Sequence, residues 1–147
     1  MDHELQFDSE HRILLLAFHN DVTEASYLAG FSAGLAFLKA NPAEGVILDF
    51  SDIRDFGLSS SFIRMIADLP EVTTKPRVVV APQKVVFGMV RMFQLLRESN
   101  ASSYPALVES MPEALKLLGF DSLKFAPVPP GTFKAGSPNS PWALPRD

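Results

Sequence analysis

The stretch VILDFSDIRDFGLSSS, running from Val46 to Ser61, decides the fold. Its first five residues are a nearly continuous apolar run interrupted only by Asp49. That is the pattern of a strand buried on both faces. Asp52, Arg54, Asp55 and Gly57 then read as a loop. Ser59, Ser60 and Ser61 supply a helix cap, with Phe62, Ile63, Ile66 and Leu69 at helical spacing behind it. A buried strand leading into an amphipathic helix predicts one β-α unit of a parallel sheet.

The same alternation extends in both directions. Upstream, Leu5 and Phe7, a turn at Asp8-Ser9-Glu10 and the apolar run Ile13 to Phe18 predict an opening hairpin. Asp21 and Thr23 offer caps for a helix carrying Leu28, Phe31, Leu35 and Leu38, which Asn41-Pro42 ends. Downstream, Arg77 to Ala81 is a valine-rich strand and Pro82 opens a helix reaching about Ser99. Tyr104 to Glu109 is the last strand. Ser110-Met111-Pro112-Glu113 reads as a capping box before Leu115, Leu117 and Leu118, with Gly119 at the C-cap. The expected order is β-β-α-β-α-β-α-β-α, a single α/β domain with a mixed sheet and helices packed on it, over residues 1–126. Residues 127–147 hold six of the twelve prolines and read as a Pro-rich tail, with Trp142 a means of docking it.

Composition narrows the function. The 147 residues are 47% hydrophobic and 20% charged, with mean hydropathy +0.13, the profile of one globular domain. There is no cysteine, which excludes disulfides, a thiol nucleophile and thiolate-held metals. A net charge of -4 gives no basic field for nucleic acid. The acidic start Met1-Asp2-His3-Glu4 and the absence of a run near 20 apolar residues predict a soluble, cytoplasmic chain with no membrane span.

Phosphate loops, dinucleotide fingerprints and nucleophile elbows are missing from the sequence. His3, His11 and His19 fall in the hairpin region, where His11 and His19 are expected to face each other as surface side chains. Asp49, Asp52 and Asp55, at and beyond a strand's carboxyl end, either hold a cation or accept backbone N–H bonds in turns. Among Ser59, Ser60 and Ser61 one hydroxyl caps the helix. A phosphate there would sit at the positive end of the helix dipole, which makes the trio a candidate phosphoacceptor. In the third helix Val85, Val86, Met89, Val90, Met92, Phe93 and Leu96 form the expected apolar face. Lys84, Arg91, Gln94 and Glu98 form the polar one. Phe87 and Gly88 fall among the polar positions, which suggests a close approach, a partner surface or an apolar mouth. Gly30 and Gly34 are spaced to let the first helix sit close to the sheet. Pro127-Val-Pro-Pro130 fits a weak polyproline pattern.

The Val46–Ser61 segment resembles the strand–loop–helix of STAS domains, the anti-sigma-factor antagonists and the cytoplasmic domains of sulfate transporters. Residues 4–119 look more specifically like SpoIIAA-like (STAS/Sec14-type) bacterial proteins. The hairpin, Val79-Val80-Ala81-Pro82, Phe87-Gly-Met-Val-Arg-Met-Phe93 and Glu113-Ala-Leu115 carry that likeness. The antagonists place a phosphorylated serine in Asp-Ser-Ser-Gly-Leu. Here Gly57-Leu-Ser-Ser-Ser-Phe62 stands there, with the adjacent serines kept and the flanking aspartate and glycine replaced. The resemblance implies a non-enzymatic, cofactor-free regulatory domain that acts on an unidentified protein partner. A homodimer through the Phe87, Gly88 and Arg91 face of the third helix is a further expectation. Likeness to Sec14-type carriers implies the alternative, an apolar or lipid-like ligand in a pocket walled by Phe56, Phe62, Phe87, Met89 and Phe93.

Overall fold

A computed structural model describes residues 3–69, 75–97 and 105–128. The elements are β1 (His3–Asp8), β2 (Ile13–Val22), α1 (Glu24–Ala40), β3 (Gly45–Phe56), α2 (Ser60–Ala67), β4 (Arg77–Val80), α3 (Lys84–Arg97), β5 (Ala106–Val108), α4 (Met111–Leu118) and β6 (Ala126–Pro127). The fold is α/β, with one mixed sheet in the order β5-β4-β3-β2-β1-β6. β2 to β5 run parallel, whereas β1 pairs antiparallel with both β2 and β6.

Topology dictates which helices share a face. The crossovers β2-α1-β3, β3-α2-β4 and β4-α3-β5 all step the same way across the sheet. Right-handed connections therefore place α1, α2 and α3 together on one side. The period-two alternation of the strands divides the core accordingly. Leu14, Leu16, Phe18, Val46, Leu48, Phe50 and Val79 point toward α1–α3. Ile13, Leu15, Ile47, Val78, Val80 and Val108 point toward Ala114 of α4. Both faces are apolar, which is why these strands read as continuous runs.

Several boundaries differ from expectation. β2 continues past Phe18 to Val22, and β3 past Phe50 to Phe56, as a two-stranded parallel ribbon. The expected loop at Asp52, Arg54 and Asp55 is therefore strand. Its polar side chains are bonded across the ribbon, by His19 Nδ1 to Asp52 at 2.8 Å and a two-pronged Arg54–Asp21 pair at 3.0 Å. Of the two caps expected for α1, Thr23 is the one used, exchanging bonds with Ser26. α3 starts at Lys84, where Phe87 N–H bonds the Gln83 carbonyl, so Pro82 lies just outside it. The chain through Val128 is bonded to β1, its N–H reaching the Leu5 carbonyl at 2.9 Å. Pro127 thus belongs to the sheet. Tyr104, Pro129, Pro130 and Trp142 lie outside the described residues. Among the described residues, no helix is long and apolar enough to cross a membrane.

Candidate functional site

The face under α1–α3 is incompletely filled. α2 packs closely on α3, and a cavity opens between that pair and α1, over β2, β3 and β4. Leu14, Leu16, Val46, Leu48 and Phe50 form its floor. Phe31, Gly34, Leu35 and Leu38 of α1 line one wall, and Ile63, Ile66, Met89, Val90 and Phe93 of α2 and α3 the other. Gly34 contributes no side chain there. A Cβ added to it would meet only Leu16 Cδ2, at 3.9 Å. The cavity spans about 940 Å3 with its open mouth included. Its lining has almost nothing for water to bond.

Among the described residues, polar side chains enter the lining at two places. Arg77 sits half-buried at the start of β4. Tyr27, 8% exposed, stands on the first turns of α1 with its ring against Phe18 and Phe31. Burial strips water from the phenolate and pushes the Tyr27 hydroxyl well above its ordinary pKa, with the Arg77 charge opposing weakly. The hydroxyl is therefore a neutral donor at physiological pH.

Three of the five expected wall residues, Phe56, Met89 and Phe93, line this cavity. Phe62 does not. It is buried edge-on against Tyr27, at 5.8 Å between ring centres. Phe87 turns away because it lies two residues from Met89, about 200° around the helix. The expected role of Gly88 in close approach is overturned, since nothing lies within 4 Å of a Cβ built on it. The close approach belongs to Gly30, whose added Cβ would stand 2.8 Å from Phe18 Cε1. Arg91 is exposed on the same side of α3 as Gly88, beside Val85 and Leu95 at 68% and 54% exposure. Gln94, expected on the polar face, is buried. It donates to the Pro105 carbonyl at 2.6 Å and accepts from Arg91 at 3.1 Å.

No family model matches the chain, and no curated protein or solved structure matches it.

The acidic and hydroxyl candidates have local work. Ala17 pairs Asp49 while His19 pairs Asp52, so β3 carries one extra residue, and the Asp49 carboxylate accepts the Ser51 N–H at 2.9 Å inside that bulge. Asp52 faces His19, and Asp55 pairs in register with Asp21. Among the described residues, no three acidic or histidine side chains converge to hold a metal. His11 sits in the β1–β2 turn and His19 beyond the end of the β1 pairing, so they do not face each other. Ser59 is the α2 cap, accepting the Phe62 N–H at 3.1 Å and donating to Glu24 at 3.3 Å. Ser60 and Ser61 are exposed. Tyr27 and Arg77 escaped the sequence reading. The only signal for Tyr27 was an aromatic in the first turns of an apolar helix.

Proposed function

We propose that this chain is a binding domain for a small apolar molecule, held in the cavity between α1 and the α2–α3 pair. One observation carries the reading. A protein interior is normally packed to the density of an organic crystal, and unfilled apolar space forfeits dispersion contacts. A partly open cavity walled mainly by Leu, Ile, Val, Met and Phe is stabilised by an apolar guest and offers little to water. The Sec14-type likeness points the same way. The SpoIIAA-like likeness supports a second reading, regulation by phosphorylation, for which Ser60 and Ser61 are placed in the open at the start of α2.

Native mass spectrometry of protein purified from its own host separates the two. A non-covalent mass released on collisional activation is the result expected. A bare chain, with no NMR shifts in the cavity residues on adding toluene, would sink the binding reading. A covalent phosphate on Ser60 or Ser61 would establish the second.

A further inference from the structure

We infer that the guest carries a carboxylate, and that the Tyr27 hydroxyl is the donor that holds it. This rests on the cavity being a binding site. Tyr27 is more than nine-tenths buried and belongs to the cavity lining. Among the described residues no hydrogen bond reaches its hydroxyl, although aromatic contacts fix its ring on three sides. Nor is the hydroxyl sealed in protein, for the sealed side-chain atoms without partners are His11 Nδ1 and Gln83 Oε1. Tyr27 belongs to the cavity lining, and we place the open side of its hydroxyl there. A buried donor left without an acceptor is costly, and natural interiors supply one. Here the missing acceptor would come with the ligand.

The sign of the acceptor follows from the surroundings. Among the described residues, the other polar side chain in the lining is Arg77, whose positive charge is felt at Tyr27. Neither group accepts a hydrogen bond from a ligand as readily as it donates one, and guanidinium cannot accept at all. An anionic oxygen is favoured by both, and a ligand ammonium would be repelled. The inference does not require Arg77 to lack other contacts, because its five N–H donors serve several acceptors. A chain whose apolar body fills the Leu, Ile and Phe walls and whose carboxylate meets Tyr27 suits the lining that the described residues form.

Octanoate and toluene, each alone, test this by NMR titration of the full chain. Both should bind wild-type protein. Tyr27→Phe keeps the ring packing and removes only the hydroxyl. It should weaken octanoate by about ten-fold or more, the scale of one hydrogen bond to a charged acceptor. Toluene affinity should stay unchanged and unliganded thermal stability should not fall, which a merely structural hydroxyl would not allow. If toluene binds and octanoate does not, or if Tyr27→Phe holds octanoate as tightly as wild type, the inference fails and the cavity reading stands. If neither binds, both fail. Should the variant not fold, the Tyr27 ring 13Cζ resonance of wild-type protein decides. It should move with octanoate and not with toluene, and its standing still would overturn the assignment.

Discussion

The Asp8 carboxylate bonds the backbone N–H of Lys124, at 2.7 Å, across 116 residues of sequence. Its other oxygen accepts the His11 N–H at 2.8 Å, so one carboxylate locks the β1–β2 turn to the segment that leads into β6. Asp8 is 1% exposed, and a buried carboxylate persists only where such donors surround it.

Asp8→Ala should therefore cost roughly 2–4 kcal/mol, because two N–H groups lose a charged acceptor in a dry setting. The pH dependence has a definite sign. The His11 backbone N–H, ahead of the Lys124 N–H, holds the Asp8 carboxyl below its ordinary value despite burial. A folded pKa below the unfolded one adds stability that is complete above the unfolded value, about 3.9, and disappears as pH falls through the folded value. Urea midpoints should fall below about pH 4 in wild type, and Asp8→Ala should lack this component of the fall. Parallel curves for the two proteins would refute the assignment.

Glycine substitutions in two helices should act in opposite directions. Phe18 is stacked on Phe50 at 5.0 Å and on Tyr27 at 5.8 Å, so it has little room to yield to a methyl at position 30. Gly30→Ala should destabilise by about 1–3 kcal/mol through overpacking. Gly88 is exposed within α3 with open space around it, so Gly88→Ala should stabilise by about 0.5–1 kcal/mol through helix propensity. Denaturant unfolding of both variants reads the two signs.

These two glycines mark the limit of what the amino-acid order disclosed. Apolar runs such as Ile13–Phe18 and Val46–Phe50 made the parallel sheet legible, because both of its faces are buried. Ser51–Phe56 was not legible as strand. Its exposed residues carry charges, and the reason they extend is a pairing with β2 that only the tertiary register creates. Met89 and Phe93 of the expected apolar stripe line the cavity, but the stripes misplaced Val85, which is exposed, and Gln94, whose partner is a carbonyl eleven residues away. A cavity is a mismatch of volumes between elements, and no periodicity records it.

Gln94 itself makes a third prediction. It is 5% exposed and ties α3 to the start of β5 through the Pro105 carbonyl. Gln94→Leu keeps the bulk but strands that carbonyl, and should cost about 1–3 kcal/mol. Gln94→Glu leaves an acceptor facing an acceptor and should cost more at neutral pH, with part of the loss recovered as acid protonates the new carboxyl. Equal unfolding midpoints for wild type and Gln94→Leu would show that the bond is unimportant.

The cavity can be closed from one position. Gly34 sits in the middle of α1 with its missing side chain directed at the cavity, and the nearest atom to an added Cβ is an ordinary contact at 3.9 Å. Gly34→Ala removes a helix-interior glycine without a clash and should stabilise by about 1 kcal/mol. Gly34→Met extends a flexible apolar chain into the space the guest would occupy. It should keep or raise the stability of the unliganded protein and abolish toluene binding. The pairing of those two readouts is what matters. A variant that loses binding because it is damaged melts early, whereas one that loses binding because the cavity is full does not. Toluene that binds Gly34→Met as it binds wild type would place the guest elsewhere.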